Sequence, residues 1–265
     1  MRRPAAGYSP GMKTTAVTNQ KGGVGKTTDT LHLGGALALH GRRVLLVDLD
    51  PQGNLTSGLK VPRLPESGPT LASVMLDGGD ARTLVRTIAP GLDIIPASLD
   101  LFLLPARLRE RAAGETRLRR VLAQLAPDYD HSLIDCRPAV DSDTNAALAA
   151  SDSVLVPVDV DEWSIEAVTL AMGQIALLMA DMDRPPMHYR GMVLNNVKRP
   201  FSDFAQAVYD QLHTLSIPVI AEIPVRSKLA EARNAGLPIG LYDPKCDAAQ
   251  MFADLVVSAG FEAAA

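Results

Sequence analysis

Residues 21–28 read K-G-G-V-G-K-T-T, a combination of residue types suited to binding phosphate groups. Glycines let successive backbone N–H groups turn toward one anion, and a helix that begins after them directs its positive dipole end to the same place. Lys26 would neutralise phosphate oxygens, and the Thr27 hydroxyl would hold Mg²⁺. We expect the whole loop to contact a nucleotide: Lys21, Gly22, Gly23, Val24, Gly25, Lys26, Thr27 and Thr28.

This loop departs from the usual phosphate-loop pattern, G-x-x-x-x-G-K-[ST], at its first position. Gln20 stands where the first glycine belongs, and Lys21 adds a second lysine directly after it. The loop therefore carries one more cation than the pattern requires.

Three aspartates follow apolar runs that are typical of strands. Asp135 ends S-L-I-D, and Asp48 and Asp50 lie in V-L-L-V-D-L-D-P-Q-G-N. A strand-end carboxylate beside a phosphate loop can hold Mg²⁺ directly or through water, so Asp135 is a candidate metal ligand. Asp48 and Asp50 are two residues apart and share one face of an extended chain. One of them can join the magnesium shell while the other orients a water for attack on the terminal phosphate.

Short apolar runs alternate with longer helical patterns from Lys13 onward, which predicts an α/β fold. In such a fold a mostly parallel, twisted β-sheet has helices on both faces, and ligands bind at the carboxyl ends of the strands. The predicted strands are residues 14–19, 43–48, 92–96, 131–135, 153–158, 190–196 and 218–224. The predicted helices are 27–40, 108–125 with a break near Gly114, 143–150, 164–181, 202–214, 227–235 and 246–259.

The remaining segments and the composition set limits on the class of protein. We expect residues 1–12 to be a flexible tail, residues 13–265 to form a single domain, and the Pro- and Gly-rich residues 51–69 to be a loop. The net charge of −4 leaves nucleic-acid binding to local basic patches. The two cysteines have no metal spacing, which fits a reduced cytoplasmic protein, and we expect neither a signal peptide nor a membrane span.

With these residues in place, the chain resembles the ParA/MinD group of P-loop ATPases, and within it the ParA-type DNA-partition ATPases. The motifs that carry the resemblance are K-G-G-V-G-K-T-T, V-L-L-V-D-L-D-P-Q-G-N, L-I-D-C-R-P and I-P-V-R-S-K-L-A-E-A-R-N-A-G-L-P-I, in that order. The resemblance runs from about Lys13 to the C-terminus. It implies a P-loop NTPase fold of the SIMIBI type with a deviant Walker A loop.

The resemblance also implies roles for individual residues. Lys21 matches the signature lysine that crosses a dimer interface to the partner's nucleotide, so Lys21, Lys26 and Asp50 become the candidate catalytic residues. Thr27, Asp48 and Asp135 are then the candidate metal ligands. Asn195, Pro224 and Val225 match the segments that contact adenine, and N-N-V-K lacks the aspartate of the GTPase base-reading motif, which favours ATP.

ParA-type proteins without a separate helix-turn-helix domain bind nonspecific DNA through basic residues on the ATP dimer. Between Arg184 and Lys245 there are eight Lys/Arg against five Asp/Glu, in a protein that is acidic as a whole. Phosphate contacts from such residues supply affinity without sequence readout. The candidate DNA-binding residues are Lys198, Arg199, Arg226, Lys228 and Arg233.

The resemblance implies an ATP-dependent homodimer that binds nonspecific DNA and is released when a ParB-like centromere-binding protein stimulates hydrolysis. Such a protein would be cytoplasmic and associated with the nucleoid, with no membrane partner. Two positions depart from the group: Asp29 stands where a small neutral residue is usual, and Arg137 replaces the first proline of D-x-P-P. We expect both to affect nucleotide affinity or turnover, since both lie beside the phosphate site.

Three other functions have to be weighed against DNA partition. A MinD-like membrane switch would need a basic amphipathic helix at the C-terminus, but the sequence after Lys245 contains no Lys or Arg. An iron–sulfur carrier related to the nitrogenase iron protein would need interface cysteines, and Cys136 and Cys246 have no nearby cysteine partner. A positioner of another cargo, such as a protein complex, would share every motif and stays open.

Overall fold

The computed structural model describes residues 11–139 and 141–261, and these residues contain eight strands: β1 (Lys13–Val17), β2 (Val44–Asp48), β3 (Arg86–Ala89), β4 (Leu92–Ile95), β5 (His131–Asp135), β6 (Ser153–Asp159), β7 (His188–Val197) and β8 (Val219–Pro224). They form one sheet in the order β3-β4-β2-β5-β1-β6-β7-β8. Neighbouring strands are parallel except for β3 and β4. The expected mostly parallel sheet is confirmed, with an antiparallel edge strand that the sequence patterns do not indicate.

Helices cover both faces of this sheet. In the described part of the chain they are α1 (Lys26–Leu39), α2 (Asn54–Gly58), α3 (Leu71–Asp77), α4 (Leu104–Arg109), α5 (Arg117–Leu125), α6 (Ser142–Ala150), α7 (Ser164–Asp181), α8 (Asp203–Leu212), α9 (Ser227–Ala235), α10 (Ile239–Tyr242) and α11 (Asp247–Ser258). Leu46 of β2 packs in an apolar cluster with α1 and α11, whereas Leu45 packs in a second cluster with α3 to α8. Alternate strand residues thus fill opposite cores, which explains why the strands read as continuous apolar runs.

The sheet brings the candidate residues to one edge. β1 lies between β5 and β6, and its carboxyl end leads directly into the glycine-rich loop and α1. Asp48 at the end of β2 is in register with Asp135 at the end of β5. Asp159 at the end of β6 is likewise in register with Asn195 on β7. Side chains from four strands and one loop therefore meet at the carboxyl edge.

The expectation that residues 51–69 are entirely loop is wrong, because α2 forms within them. Gly53 adopts a left-handed conformation with φ of +65° directly before α2. Thr56 then donates its backbone N–H and its hydroxyl to Asp48 Oδ2, at 2.8 and 2.6 Å. The side chain that anchors this helix belongs to a strand eight residues earlier, so local Pro and Gly content does not reveal it.

Other boundaries follow the predictions more closely. The predicted break near Gly114 is confirmed, since a 3-10 turn over Gly114–Thr116 separates α4 from α5. A Cβ at Gly114 would lie 2.4 Å from the Leu108 carbonyl oxygen, so the chain needs glycine there. The sequence patterns miss α3, α10 and β3, which are all short. Most of the expected flexible tail, residues 1–10, lies outside the described residues.

Helix α7 is long and apolar enough, by length and composition alone, to span a membrane. Its mean hydropathy is 1.3 over 18 residues, and 39% of it is buried in the protein. Val168, Ile175 and Leu178 on its inner face pack in the apolar core. A core helix of a globular domain meets the same criteria, so the expectation that the chain has no membrane span stays a prediction.

Candidate functional site

The glycine-rich loop adopts a backbone that requires its glycines. Gly23 and Gly25 have φ angles of +80° and +99°, and Gly25 directly precedes α1. A Cβ at Gly25 would also lie 2.5 Å from Asn195 Nδ2. Conformation and close approach therefore both exclude a larger residue at this position. The N-terminus of α1 is open to an anion, as the sequence predicts.

Lys26 is the first residue of α1, and its side chain folds back across the loop. Its Nζ donates to the Lys21 carbonyl oxygen at 2.6 Å, and the residue is 7% exposed. Burial lowers the pKa of Lys26, while Asp135 opposes this change. A phosphate in the loop would supply a better-matched counter-charge to this buried ammonium group.

Thr27 and Asp135 contact each other across the strand edge. Thr27 Oγ1 donates to Asp135 Oδ2 at 2.7 Å, and Asp135 Oδ1 is buried without a partner. Burial, followed by the neighbouring Asp48, raises the pKa of Asp135 well above its usual range. A buried carboxylate with an unused oxygen beside a hydroxyl is a suitable oxygen donor set for a hard cation.

Asp48 and Asp50 lie at the same carboxyl edge of the sheet, but their side chains have different surroundings. Asp48 is fully buried, its Oδ2 is bound by Thr56, and its Oδ1 accepts the Asp50 N–H at 3.3 Å. Burial raises the pKa of Asp48 to about 6. Asp50 is 9% exposed and uses Oδ1 to accept the Gln52 N–H at 2.8 Å. Asp48 is therefore tied into the fold, and Asp50 is the more accessible carboxylate.

The residues present fit a magnesium ion held jointly by protein and nucleotide. Within residues 11–139 and 141–261, no group of three or more His, Cys, Asp or Glu side chains is arranged to hold a metal alone. Mg²⁺ commonly takes one or two protein ligands and completes its shell with phosphate oxygens and water. Thr27 and Asp135 can supply such ligands, and the cation would offset the repulsion between Asp135 and Asp48.

The side chain of Lys21 points away from the phosphate loop and toward two aspartates of the same chain. Its Nζ donates to Asp159 Oδ1 at 2.8 Å and forms a second short contact with Asp161. Partial burial opposes the charged form of Lys21, but the hydrogen bonds to both aspartates outweigh this effect and raise its pKa. These two aspartates are not among the residues predicted from the sequence, although Asp159 ends the apolar run S-V-L-V-P-V in the same way that Asp135 ends its strand.

Beside the phosphate loop lies an open cleft, which is the candidate site for the base of a nucleotide. The structure brings the three candidate adenine contacts, Asn195, Pro224 and Val225, together in its wall with Gly25 and Thr28. The cleft is also lined by residues that were not expected there, among them His32 and Arg233. His32, on the inner face of α1, accepts the Ile239 N–H at 3.0 Å, and burial lowers its pKa to about 3.

Arg233, predicted from the sequence only as a DNA contact, also lines this cleft, as does Arg226. The other candidate DNA contacts are on the surface, and three of them form ion pairs. Arg199 pairs with Glu222 at 2.8 Å, Arg226 with Asp247 at 2.6 Å, and Lys228 with Glu231 and Asp243 at 3.3 and 3.5 Å. In the described part of the chain, Lys198 and Arg233 form no ion pair. Exposed ion pairs are weak, so a DNA phosphate can replace the carboxylate.

Arg137 lies after β5 and turns toward α6. Its Nη1 lies 3.3 Å from Oδ2 of Asp143, which is nearly inaccessible to solvent. Burial raises the pKa of Asp143, and the Arg137 guanidinium opposes this change. Arg137, which stands in place of the first proline of D-x-P-P, is therefore held by an ion pair with the nearby Asp143.

Fold and site together define a P-loop ATPase. The family described as an AAA domain matches residues 12–184. The chain is 35% identical over 257 residues to the sporulation initiation inhibitor protein Soj of Bacillus subtilis, covering 92% of this chain and 96% of the relative. It is 37% identical over 250 residues to the chromosome partitioning protein ParA of Caulobacter vibrioides, covering 92% of each.

The fold comparison agrees with these relatives. The cobyrinic acid a,c-diamide synthase of Mycobacterium smegmatis, solved with an ATP analogue and magnesium, superposes with a TM-score of 0.78 at 29% identity and covers 92% of both chains. The chain belongs to the ParA/Soj family of ATPases.

Proposed function

We propose that this protein is a ParA-type ATPase that segregates chromosome or plasmid DNA. The observation that carries the proposal is the phosphate loop with its additional Lys21, set against Asp50 and the Thr27–Asp135 pair at one sheet edge. The relatives at 35% and 37% identity have names that refer to Soj and chromosome partitioning. The synthase neighbour is less similar, at 29% identity.

ATP and Mg²⁺ are the proposed cofactors. The backbone of residues 21–28 and the Lys26 ammonium group would bind the phosphates, and the base would enter the cleft lined by Asn195, Pro224 and Val225. Thr27 and Asp135 would hold the magnesium ion, with Asp48 behind them. The ion supplies charge neutralisation on the phosphate oxygens. Asp50, the accessible carboxylate, would orient the attacking water.

The proposed active form is a homodimer with ATP between the subunits. Lys21 is the residue that would cross the interface, and in the single chain Asp159 and Asp161 hold it. Dimerisation would then exchange these carboxylates for the partner's phosphates, which carry more negative charge. Residues 13–265 would act as one domain in this cycle.

Nonspecific DNA and a ParB-like protein are the proposed partners, and the protein would associate with the nucleoid in the cytoplasm. The DNA face would include Lys198, Arg199 and Arg226, which line one depression beside the nucleotide cleft, and Lys228, two residues after Arg226. A membrane target is less favoured, because Phe252 and Leu255 of α11 are buried in the core against α1. A different cargo carried on the same DNA-bound dimer is the alternative.

DNA binding measured with ATP, with ADP and without nucleotide tests this function. We expect binding only with ATP, and a steep loss of affinity when the salt concentration is raised. Lys26→Ala is the matched control, since it should abolish nucleotide binding and the ATP-dependent part of DNA binding together. Equal DNA binding in all three nucleotide states would contradict the proposed function.

A further inference from the structure

Asp29 is a fully buried carboxylate in the first turn of α1, under the phosphate loop. Its Oδ2 accepts a hydrogen bond from Asn195 Nδ2 at 2.8 Å, whereas its Oδ1 is buried without a partner. A buried carboxylate with an unpartnered oxygen is energetically costly, which indicates that Asp29 has a function at this place.

The contacts of Asn195 determine which way its amide points. Nδ2 donates to Asp29 Oδ2 and also to the Val24 carbonyl oxygen of the phosphate loop, at 3.0 Å. A primary amide nitrogen carries two hydrogens, and the protein uses both. A backbone carbonyl can only accept, so the nitrogen must face the loop. Oδ1 is the remaining polar atom of Asn195, a residue that lines the cleft.

We propose that Asp29 is a positioning residue for base recognition, which acts by fixing the Asn195 amide so that its acceptor, Oδ1, is the atom offered to the base. This inference rests on the proposed ATP site and deepens it. An acceptor favours a base that carries an amino group, as adenine does, over one that carries a carbonyl oxygen in its place, as hypoxanthine does. Asp29 would thereby contribute to the choice of ATP.

Three contacts restrain the amide. The Gly25 backbone packs closely enough that a Cβ there would lie 2.8 Å from Asn195 Cγ, which limits movement on that side. Nδ2 also donates to the Val24 carbonyl oxygen and to Asp29 Oδ2, and of these only the hydrogen bond to Asp29 is lost when Asp29 is replaced. Without it one amide hydrogen loses its partner, and rotation of the amide becomes less costly. Oδ1 and Nδ2 could then both reach the base, and the distinction between amino and carbonyl groups would fall.

Titration calorimetry with ATP and with inosine triphosphate, each with Mg²⁺, tests this role. We expect the unchanged protein to bind ATP about tenfold more tightly, the effect of one hydrogen bond to a buried acceptor. Asp29→Asn keeps an acceptor oxygen in the same shape and should retain the preference. Asp29→Leu has a similar shape without an acceptor and should reduce the preference to about twofold or less. A purely structural role would weaken both nucleotides equally, and an unchanged ratio in a folded Asp29→Leu protein overturns the inference.

Further measurements separate the possible failures. Thermal unfolding shows whether Asp29→Leu folds, and Asp29→Ser, which is too short to reach the amide, replaces it if it does not. Asn195→Ala should lose the preference to the same extent, and adding Asp29→Leu to it should change nothing more. Equal affinity for both nucleotides in the unchanged protein contradicts base recognition alone. Binding of neither nucleotide contradicts the proposed function itself.

Discussion

Lys21 differs from the rest of the phosphate loop because its side chain leaves the loop. It is bound by Asp159 and Asp161, whereas Lys26, five residues later, lies across the loop itself. Two lysines in one short motif therefore have separate surroundings, which agrees with the proposal that Lys26 serves the chain's own nucleotide and Lys21 that of a second subunit. The role of Lys21 is best tested by measuring ATP binding and ATP turnover separately.

We expect Lys21→Ala to leave ATP affinity within about threefold of the unchanged protein and to reduce turnover at least about a hundredfold, because charge stabilisation in trans acts on the transition state. Calorimetry measures the affinity, phosphate release measures turnover, and light scattering with ATP measures dimer formation. Lys60→Ala, a change of an exposed lysine outside the loop, is the control. Full turnover in the Lys21 variant would remove the proposed role.

Asp50 is the accessible member of the Asp48–Asp50 pair and should be needed for hydrolysis. We expect Asp50→Ala to bind ATP and to accumulate an ATP-bound dimer, with turnover reduced by about a hundredfold or more, since no carboxylate orients the water. Phosphate release and size-exclusion chromatography with ATP test this. Asp77→Ala, at the end of α3, is the control. Normal turnover would refute the assignment of Asp50.

Helix α1 connects the phosphate site to the apolar cluster that contains α11. Its first turn holds Lys26 and Asp29, and its inner face holds His32, whose ring lies 5.1 Å from the Phe252 ring of α11. Because the Ile239 N–H donates to it, His32 must keep an unprotonated Nδ1 in the folded state. Protonation of this one side chain would disturb the packing of α1 against α10 and α11.

The His32 environment predicts a pH dependence of stability. Burial lowers the pKa of His32 from 6.5 to about 3 in the folded state. The unfolded chain therefore binds more protons between these pH values, so the His32 contribution is fully present above the unfolded pKa and is lost as pH falls. Between about pH 7 and about pH 5 the loss is about 2 kcal/mol.

Urea unfolding at several pH values measures this contribution. His32→Asn retains an acceptor for Ile239 and cannot titrate, so its stability should depend less on pH than that of the unchanged protein. His213→Asn, a change of an exposed histidine, is the control and should leave the profile as it is. Equal acid sensitivity in the His32 variant and the unchanged protein would contradict the prediction.

Taken as a whole, the acidic protein carries its basic candidates beside the nucleotide cleft. Lys198 and Arg199 directly follow β7, Arg226 lies between β8 and α9, and Lys228 and Arg233 are on α9. Lys198, Arg199, Val225 and Arg226 line a surface depression there. Arg226 and Val225 also line the nucleotide cleft, so the two sites share a wall. If DNA binds at this depression as proposed, the shared residues of β8 and the start of α9 would connect it to the nucleotide cleft.

We expect Lys228→Glu to weaken ATP-dependent DNA binding at least about tenfold and to leave ATP-dependent dimerisation unchanged, because the new carboxylate repels the DNA backbone. Gel shift at two salt concentrations and size-exclusion chromatography measure the two properties. Arg82→Glu is the control, because it changes the charge by the same amount as Lys228→Glu at an exposed position away from the candidate DNA contacts. DNA binding that is indifferent to Lys228→Glu would exclude this residue from the interface.

Local patterns account for a large part of this fold and site. The long elements were predictable because their apolar periods are strong, and the phosphate loop because glycine, lysine and threonine must be adjacent in sequence to surround one phosphate group. The short elements α2, α3, α10 and β3 were not. Helix α2 depends on the contact between Thr56 and Asp48, which only the folded chain provides.

The sequence by itself determined the chemistry at the carboxyl edge: the loop at residues 21–28, the strand-end Asp48 and Asp135, and the excess lysine. These features follow from residue type and spacing along one strand or one loop. Only the tertiary structure decided which partners those groups have. The pairing of Lys21 with Asp159, and of Asp29 with Asn195, joins residues 138 and 166 positions apart. Parallel strands bring such distant positions side by side, and spacing along the chain carries no record of it.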